Sequence, residues 1–166
     1  MHMVYNKNIH IQSKSIQKED SLMSLKINPY LNFMGRTEEA FVFYKSVFGG
    51  EFTSLQQFKD IPGLPGKEQM SEADLNKLMH VSLPIGNNVL MGTDTLESLG
   101  HTLNFGNNIS LSIDVDSKDE ADRLFKALSE GGKVEMALHD TFWNAYFGMV
   151  EDQFGIKWMI NCETKN

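Results

Sequence analysis

A chain of 166 residues with 41% apolar side chains is long enough for one ordinary domain, or for two very small lobes sharing a core. Fifteen basic against 22 acidic residues leave a formal charge of −7 and no long basic run, which disfavours DNA or RNA as a partner. The single cysteine, Cys162, excludes an intrachain disulfide framework and a thiolate metal cluster. No stretch approaches the ~20 apolar residues that span a bilayer, so a membrane partner is not expected.

Residues 1–23 are polar, lack helical or strand periodicity, and hold no run of ~7–15 apolar residues such as a secretory signal needs. They read as a loosely attached arm before a domain that begins near Met23, so His2 and His10 carry little weight as ligands. One cysteine fits a reducing compartment, and a cytoplasmic location is expected.

The domain opens with a strand, 27–34, with Leu31 and Phe33 on one face and Asn28, Tyr30, Asn32 and Met34 on the other. Gly35 and Thr37 end it and start a helix whose Ala40, Phe41, Tyr44, Val47 and Phe48 share one side. Gly49-Gly50 closes the helix, because glycine accepts the left-handed conformation that a helix C-terminus often requires. Three short strands follow at 51–58, 79–84 and 89–92. An insertion, 59–77, separates the first two and carries the turn residues Pro62-Gly63-Leu64-Pro65-Gly66 and a capped helix start, Ser71-Glu72-Ala73-Asp74.

A loop, 95–107, leads into the same grammar again. Residues 108–114 alternate, with Ile109, Leu111 and Ile113 on one face. Ser117-Lys118-Asp119-Glu120 has the pattern of a capping box, and Ala121, Leu124, Phe125 and Leu128 form the buried stripe of a helix closed by Gly131-Gly132. Strands follow at 133–138, 145–150 and 156–161. Asn28 matches Asn108, Glu39 matches Glu120 and Gly49 matches Gly131, at offsets of 80, 81 and 82. Three landmarks in one order argue for an internal repeat. Each unit, 24–94 and 108–163, reads as βαβββ, and neither buries its sheet alone. The expected fold is α+β: two βαβββ modules in one domain over 24–163, a curved mixed sheet with helices on the outer face.

Paired βαβββ modules resemble the vicinal oxygen chelate superfamily of glyoxalases, bleomycin-resistance proteins and extradiol dioxygenases. Within it the chain is similar to the PhnB-like branch, through Pro29-Tyr30-Leu31-Asn32-Phe33, Glu39-Ala40-Phe41-Val42-Phe43-Tyr44, Phe48-Gly49-Gly50, Met79-His80-Val81, Gly131-Gly132-Lys133-Val134, Thr141-Phe142-Trp143 and the run from Asp152 to Asn161. That branch often carries the label demethylubiquinone methyltransferase. The glycine-rich G-x-G-x-x-G turn of many nucleotide-type cofactor sites does not occur here.

The resemblance implies a divalent ion held by inward residues on the first and last strands of each module, with open positions for substrate oxygens. Carried over, those positions are Asn28, Asn108, Met159, and Met91 or Gly92. None is a normal hard-metal ligand. No cofactor is therefore expected, and a divalent metal finds poor support.

His80 is the sharpest remaining candidate. It shares a strand face with Ser82 and reads as a catalytic base, a hydrogen-bond donor or a lone ligand; the competing reading is a strand-end histidine satisfied by a neighbour. Asn28, Tyr30, Asn32, Asn108, Ser110, Ser112 and Asp114 form a polar lining on the two first strands, joined by Lys157, Met159 and Asn161 from the last. Trp143 is expected at the cavity mouth, and Phe147 in the core between sheet and helix. The expected function is metal-independent binding of a small polar or amphipathic molecule on the concave face. The alternatives are a metal-dependent lyase, isomerase or dioxygenase using His80, and a ligand-free scaffold or regulatory dimer. A homodimer is expected, because open sheet edges invite a covering partner.

Overall fold

The computed structural model describes residues 25–163, so the arm read at 1–23, with His2 and His10, lies outside the described residues. The first unit runs β1 (Tyr30–Phe33), α1 (Thr37–Phe48), β2 (Ser54–Gln57), α2 (Glu72–Leu75), β3 (Leu78–Ile85) and β4 (Asn88–Asp94). The second runs β5 (Leu111–Asp114), α3 (Lys118–Ser129), β6 (Lys133–Asp140), β7 (Ala145–Glu151) and β8 (Lys157–Glu163). The repeat read from the sequence is therefore real. Its two sheets have the same strand order, β1-β4-β3-β2 and β5-β8-β7-β6, with the outer pair parallel and the others antiparallel.

Among the described residues no ladder joins the two sheets. Their edge strands β1 and β5 approach each other instead, and Leu31 and Leu111 line one cleft between them. The expected single sheet is thus two, divided at the middle. Both first strands are also shorter than their alternation: Asn28 precedes β1, and Ile109, 74% exposed, precedes β5. Asn28 acts as a cap, its Oδ1 accepting the Val89 amide at 3.0 Å and holding the start of β4.

The start of α1 is fixed by a buried carboxylate. Asp94 Oδ1 accepts Thr37 N at 3.1 Å and Thr37 Oγ1 at 2.6 Å, while its Oδ2 accepts Leu78 N at 2.9 Å. One side chain at the end of β4 thereby ties the first turn of α1 to the head of β3 and satisfies a helix amide that lacks an intrahelical partner. At α3 only half of the expected capping box forms. Ser117 Oγ accepts Glu120 N at 3.2 Å, but the Glu120 carboxylate turns to Arg123, so it does not reach back.

Both helices cover the same side. Tyr44 and Phe48 of α1 pack on Trp158 of the second sheet with ring centroids 5.6 and 5.5 Å apart, and Arg123 of α3 donates to the Val47 carbonyl at 2.9 Å. The core lies between these helices and the sheets, around Phe41, Tyr44, Val81, Leu83, Leu128, Val150 and Ile160. The opposite face of both sheets carries neither α1 nor α3.

Candidate functional site

Period-2 alternation puts a continuous set of side chains on that helix-free face. Across the first sheet, Ser54 pairs with Ser82, Ser82 with Met91, and Met91 with Tyr30. Across the second, Met136 pairs with Met149, Met149 with Met159, and Met159 with Ser112. One sheet thus presents hydroxyls, and the other a row of three thioethers. Gly92, the other position read from the sequence, faces the helix: a Cβ there would lie 2.4 Å from Phe41 Cε2.

Three of the expected site residues form one hydrogen-bonded chain. Tyr30 Oη lies 3.2 Å from His80 Nδ1, and His80 Nε2 lies 2.8 Å from Ser82 Oγ. The Tyr30 and His80 rings sit 5.8 Å apart, tilted by 30°. Ser82 is buried and His80 half-buried, whereas Tyr30 is open to solvent along one side. Burial pushes the Tyr30 phenol up, with the neighbouring Thr93 hydroxyl pulling the other way, so the phenol stays protonated at neutral pH. Asn32 sits opposite Thr93 and Gln56 opposite His80, extending the polar surface on both sides.

On the second sheet, Lys157 is held between Glu135 and Glu151, the latter at 3.1 Å, and the hydrogen bonds it donates to both carboxylates, Glu135 first, raise its pKa. Asn161 donates to Asp114 Oδ1 at 2.8 Å. Trp143, half-exposed at the β6–β7 turn, meets Phe142 edge-on at 4.7 Å and Phe147 at 6.1 Å.

The remaining expected site residues separate. Ser110, Ser112 and Asp114 line a cavity of about 530 Å³ at the seam of the modules, with Phe48, Leu90 and Trp158 as its apolar wall. Tyr30, Asn32 and Lys157 line a smaller seam cleft of about 280 Å³ under Phe105. Asn108 is exposed in the loop before β5 and borders neither cavity. Phe147 corrects the sequence reading: it pairs with Asn161 and His139 on the helix-free face, while its neighbours Gly148 and Val150 are the buried ones. The Met136–Met149–Met159 row was legible only once β6, β7 and β8 were in register, because the three lie in separate strands.

A divalent metal is tested by the donors on this face. Around the seam these are the Tyr30 phenol, the Ser112 hydroxyl and the thioethers of Met91 and Met159, and no three His, Cys, Asp or Glu side chains among the described residues are grouped to hold an ion. Thioethers are soft ligands and a protonated phenol is a poor one, so a hard oxygen-bound metal does not fit.

A family model described as 3-demethylubiquinone-9 3-methyltransferase matches residues 25–161. The chain belongs to that family. Protein PA1353 from Pseudomonas aeruginosa is 42% identical, covering 86% of this chain and 100% of its own, with a TM-score of 0.75. A structure described as a putative 3-demethylubiquinone-9 3-methyltransferase, PhnB protein, from Bacillus cereus is 26% identical over 83% of this chain and 99% of its own, TM-score 0.66. A glyoxalase-related enzyme from Fulvimarina pelagi, 16% identical over 84% of this chain and 89% of its own, shares the fold with a TM-score of 0.55.

For this PhnB-like chain the β1-to-α1 turn does not form the glycine-rich cradle in which a nucleotide-type methyl donor often sits. The β1-to-α1 turn carries the single glycine Gly35, and the amide at the start of α1 is already taken by Asp94. No helix among the described residues is long and apolar enough to cross a membrane.

Proposed function

We propose that this PhnB-like protein binds a small amphipathic molecule on the helix-free face and does so without a divalent metal. The observation that carries this reading is the division of that face. Tyr30, backed by His80 and Ser82, supplies a hydrogen-bonding group on one sheet, and Met136, Met149 and Met159 supply an unbranched, polarisable floor on the other. The test uses 8-anilinonaphthalene-1-sulfonate as an amphipathic probe and the methionine methyl signals as reporters. Saturable binding that shifts Met149 and Met159 supports the reading; shifts confined to other methionines sink it. Equilibrium dialysis against zinc, nickel, manganese and magnesium is expected to leave less than one equivalent bound, and a retained stoichiometric ion would overturn the metal-free part.

We also propose a homodimer in a cytoplasmic setting. Edge strand β6 exposes Val134 and Met136, and the adjoining turn exposes Phe142 to 94%. A second copy of the chain would cover such an edge. Light scattering should give twice the chain mass of 18.8 kDa, and a monomer at micromolar concentration would refute the dimer.

A further inference from the structure

The hydrogen-bonded chain on the first sheet has a direction, and that direction says what it can meet. Ser82 is 7% exposed, and among the described residues its hydroxyl has one hydrogen-bond partner, His80 Nε2. A buried hydroxyl proton needs an acceptor, so Ser82 donates to Nε2. A neutral imidazole that accepts at Nε2 carries its proton on Nδ1. Nδ1–H then donates to Tyr30 Oη, and the phenol proton must turn away from His80. The adjacent Thr93 hydroxyl gives its own proton to the Met79 carbonyl at 2.7 Å, and the hydrogen bond that Tyr30 Oη makes among the described residues is the one to His80, which leaves the outward phenol proton for a ligand. The reverse chain, with Tyr30 donating inward, would leave the Ser82 proton without a partner.

We propose that Tyr30, backed by His80 and Ser82, is a hydrogen-bond donor for a ketone oxygen on the bound molecule. This rests on the helix-free face being the binding surface. Three donors in series polarise one another, so the phenol offers a stronger bond than an isolated tyrosine. Tyr30 stands on β1 at the seam, where its side chain, 45% exposed, is reachable. Met91, its cross-strand partner, and Met159 beyond the seam offer apolar surface for the carbon skeleton beside that oxygen. His80 and Ser82 are positioning residues, since neither need touch the ligand.

The probes are 1-indanone, which carries a ketone on a bicyclic skeleton, and indane, which lacks it. Indanone is expected to bind about 3- to 10-fold more tightly, the range of one neutral hydrogen bond. Its bound carbonyl stretch should move to lower wavenumber than in hydrocarbon solvent. Tyr30→Phe should abolish both differences, and Ser82→Ala should transfer the His80 proton to Nε2 in nitrogen-15 spectra and weaken the carbonyl shift. If both probes move the Met91 and Met159 methyl signals with equal affinity and the carbonyl is unshifted, the donor role is overturned while the binding face stands. If neither probe moves those signals, both are overturned. The carbonyl measurement on the unaltered protein decides the matter even where a variant fails to fold.

Discussion

The Tyr44 hydroxyl of the first module donates to Asp152 Oδ2 of the second at 2.8 Å, both side chains being buried. Asp152 also accepts Trp158 Nε1 at 2.8 Å, Phe154 N at 2.8 Å and Ile156 N at 3.0 Å. Burial and then the Asp152 charge push the Tyr44 phenol far above its ordinary range, so it acts purely as a donor. With no ladder between the sheets, this bond joins the Arg123–Val47 hydrogen bond and the packing of α1 on Trp158 in holding the modules together. A hydrogen bond to a charged group contributes about 1.5–3 kcal/mol, so Tyr44→Phe should lose roughly that. Asp152→Ala, which strands four donors, should lose about 3–5 kcal/mol. Urea denaturation at constant m-value measures both; a Tyr44→Phe cost below about 0.5 kcal/mol would remove this bond from the account of the interface.

Gly92 supplies a second, steric test. Its absent side chain makes room for Phe41, which is fully buried against β4. Gly92→Ala would place a methyl 2.4 Å from the Phe41 ring, so Phe41 or the strand must shift. Overpacking of that kind typically costs about 1–3 kcal/mol. The melting temperature should fall accordingly, and restoring space with Gly92→Ala/Phe41→Leu should recover part of it. Failure of the second change to recover stability would place the conflict elsewhere.

The repeat was legible in the sequence because it is written in local rules. Helix stripes such as Ala40, Phe41 and Tyr44, and the double glycines at 49–50 and 131–132, depend on neighbours a few residues away. The candidate site's geometry was legible where alternation within one strand decides it: His80 and Ser82 share a face, and Tyr30 lies on the matching side of β1. What alternation could not give was register between strands, which alone assembles Met136, Met149 and Met159 into a row. Asn28 shows the opposite failure. Its polar side chain suggested an inner-face ligand, but it caps the Val89 amide. Phe147 was misplaced because a large aromatic residue favours burial, whereas the parity of β7 is set by Gly148 and Val150.

Asp74 predicts how the fold responds to acid. Lys77 at 2.7 Å, with Ser98 and Ser71, lowers its carboxyl to about 2 from the ordinary 3.8. A carboxylate depressed in the folded state adds stability that is fully present above the unfolded value and is lost as pH falls through the folded one. Unfolding free energy should therefore decline between about pH 4 and pH 2. In Asp74→Asn that part of the decline should vanish, leaving a variant less stable at neutral pH but flatter in acid. Urea midpoints collected across that window make the comparison, and parallel curves for the two proteins would dismiss Asp74 as the titrating group.

Met149 and Val150 are neighbours on β7 that face opposite ways, which allows the binding face to be separated from the core. Val150 is fully buried under α3, so Val150→Asp puts an unpaired charge among apolar side chains and should cost more than about 4 kcal/mol. Met149 belongs to the helix-free face and is half-buried between Met136 and Met159. Met149→Asp can keep its carboxylate hydrated there and should change stability by no more than about 1 kcal/mol. It breaks the thioether row, however, and places a negative charge where the anionic naphthalene probe would lie, so probe affinity should fall at least tenfold. Denaturation curves and probe titrations of both variants give four outcomes to compare. A Met149→Asp protein that is stable and binds the probe unchanged would show that the methionine row is not the ligand's floor.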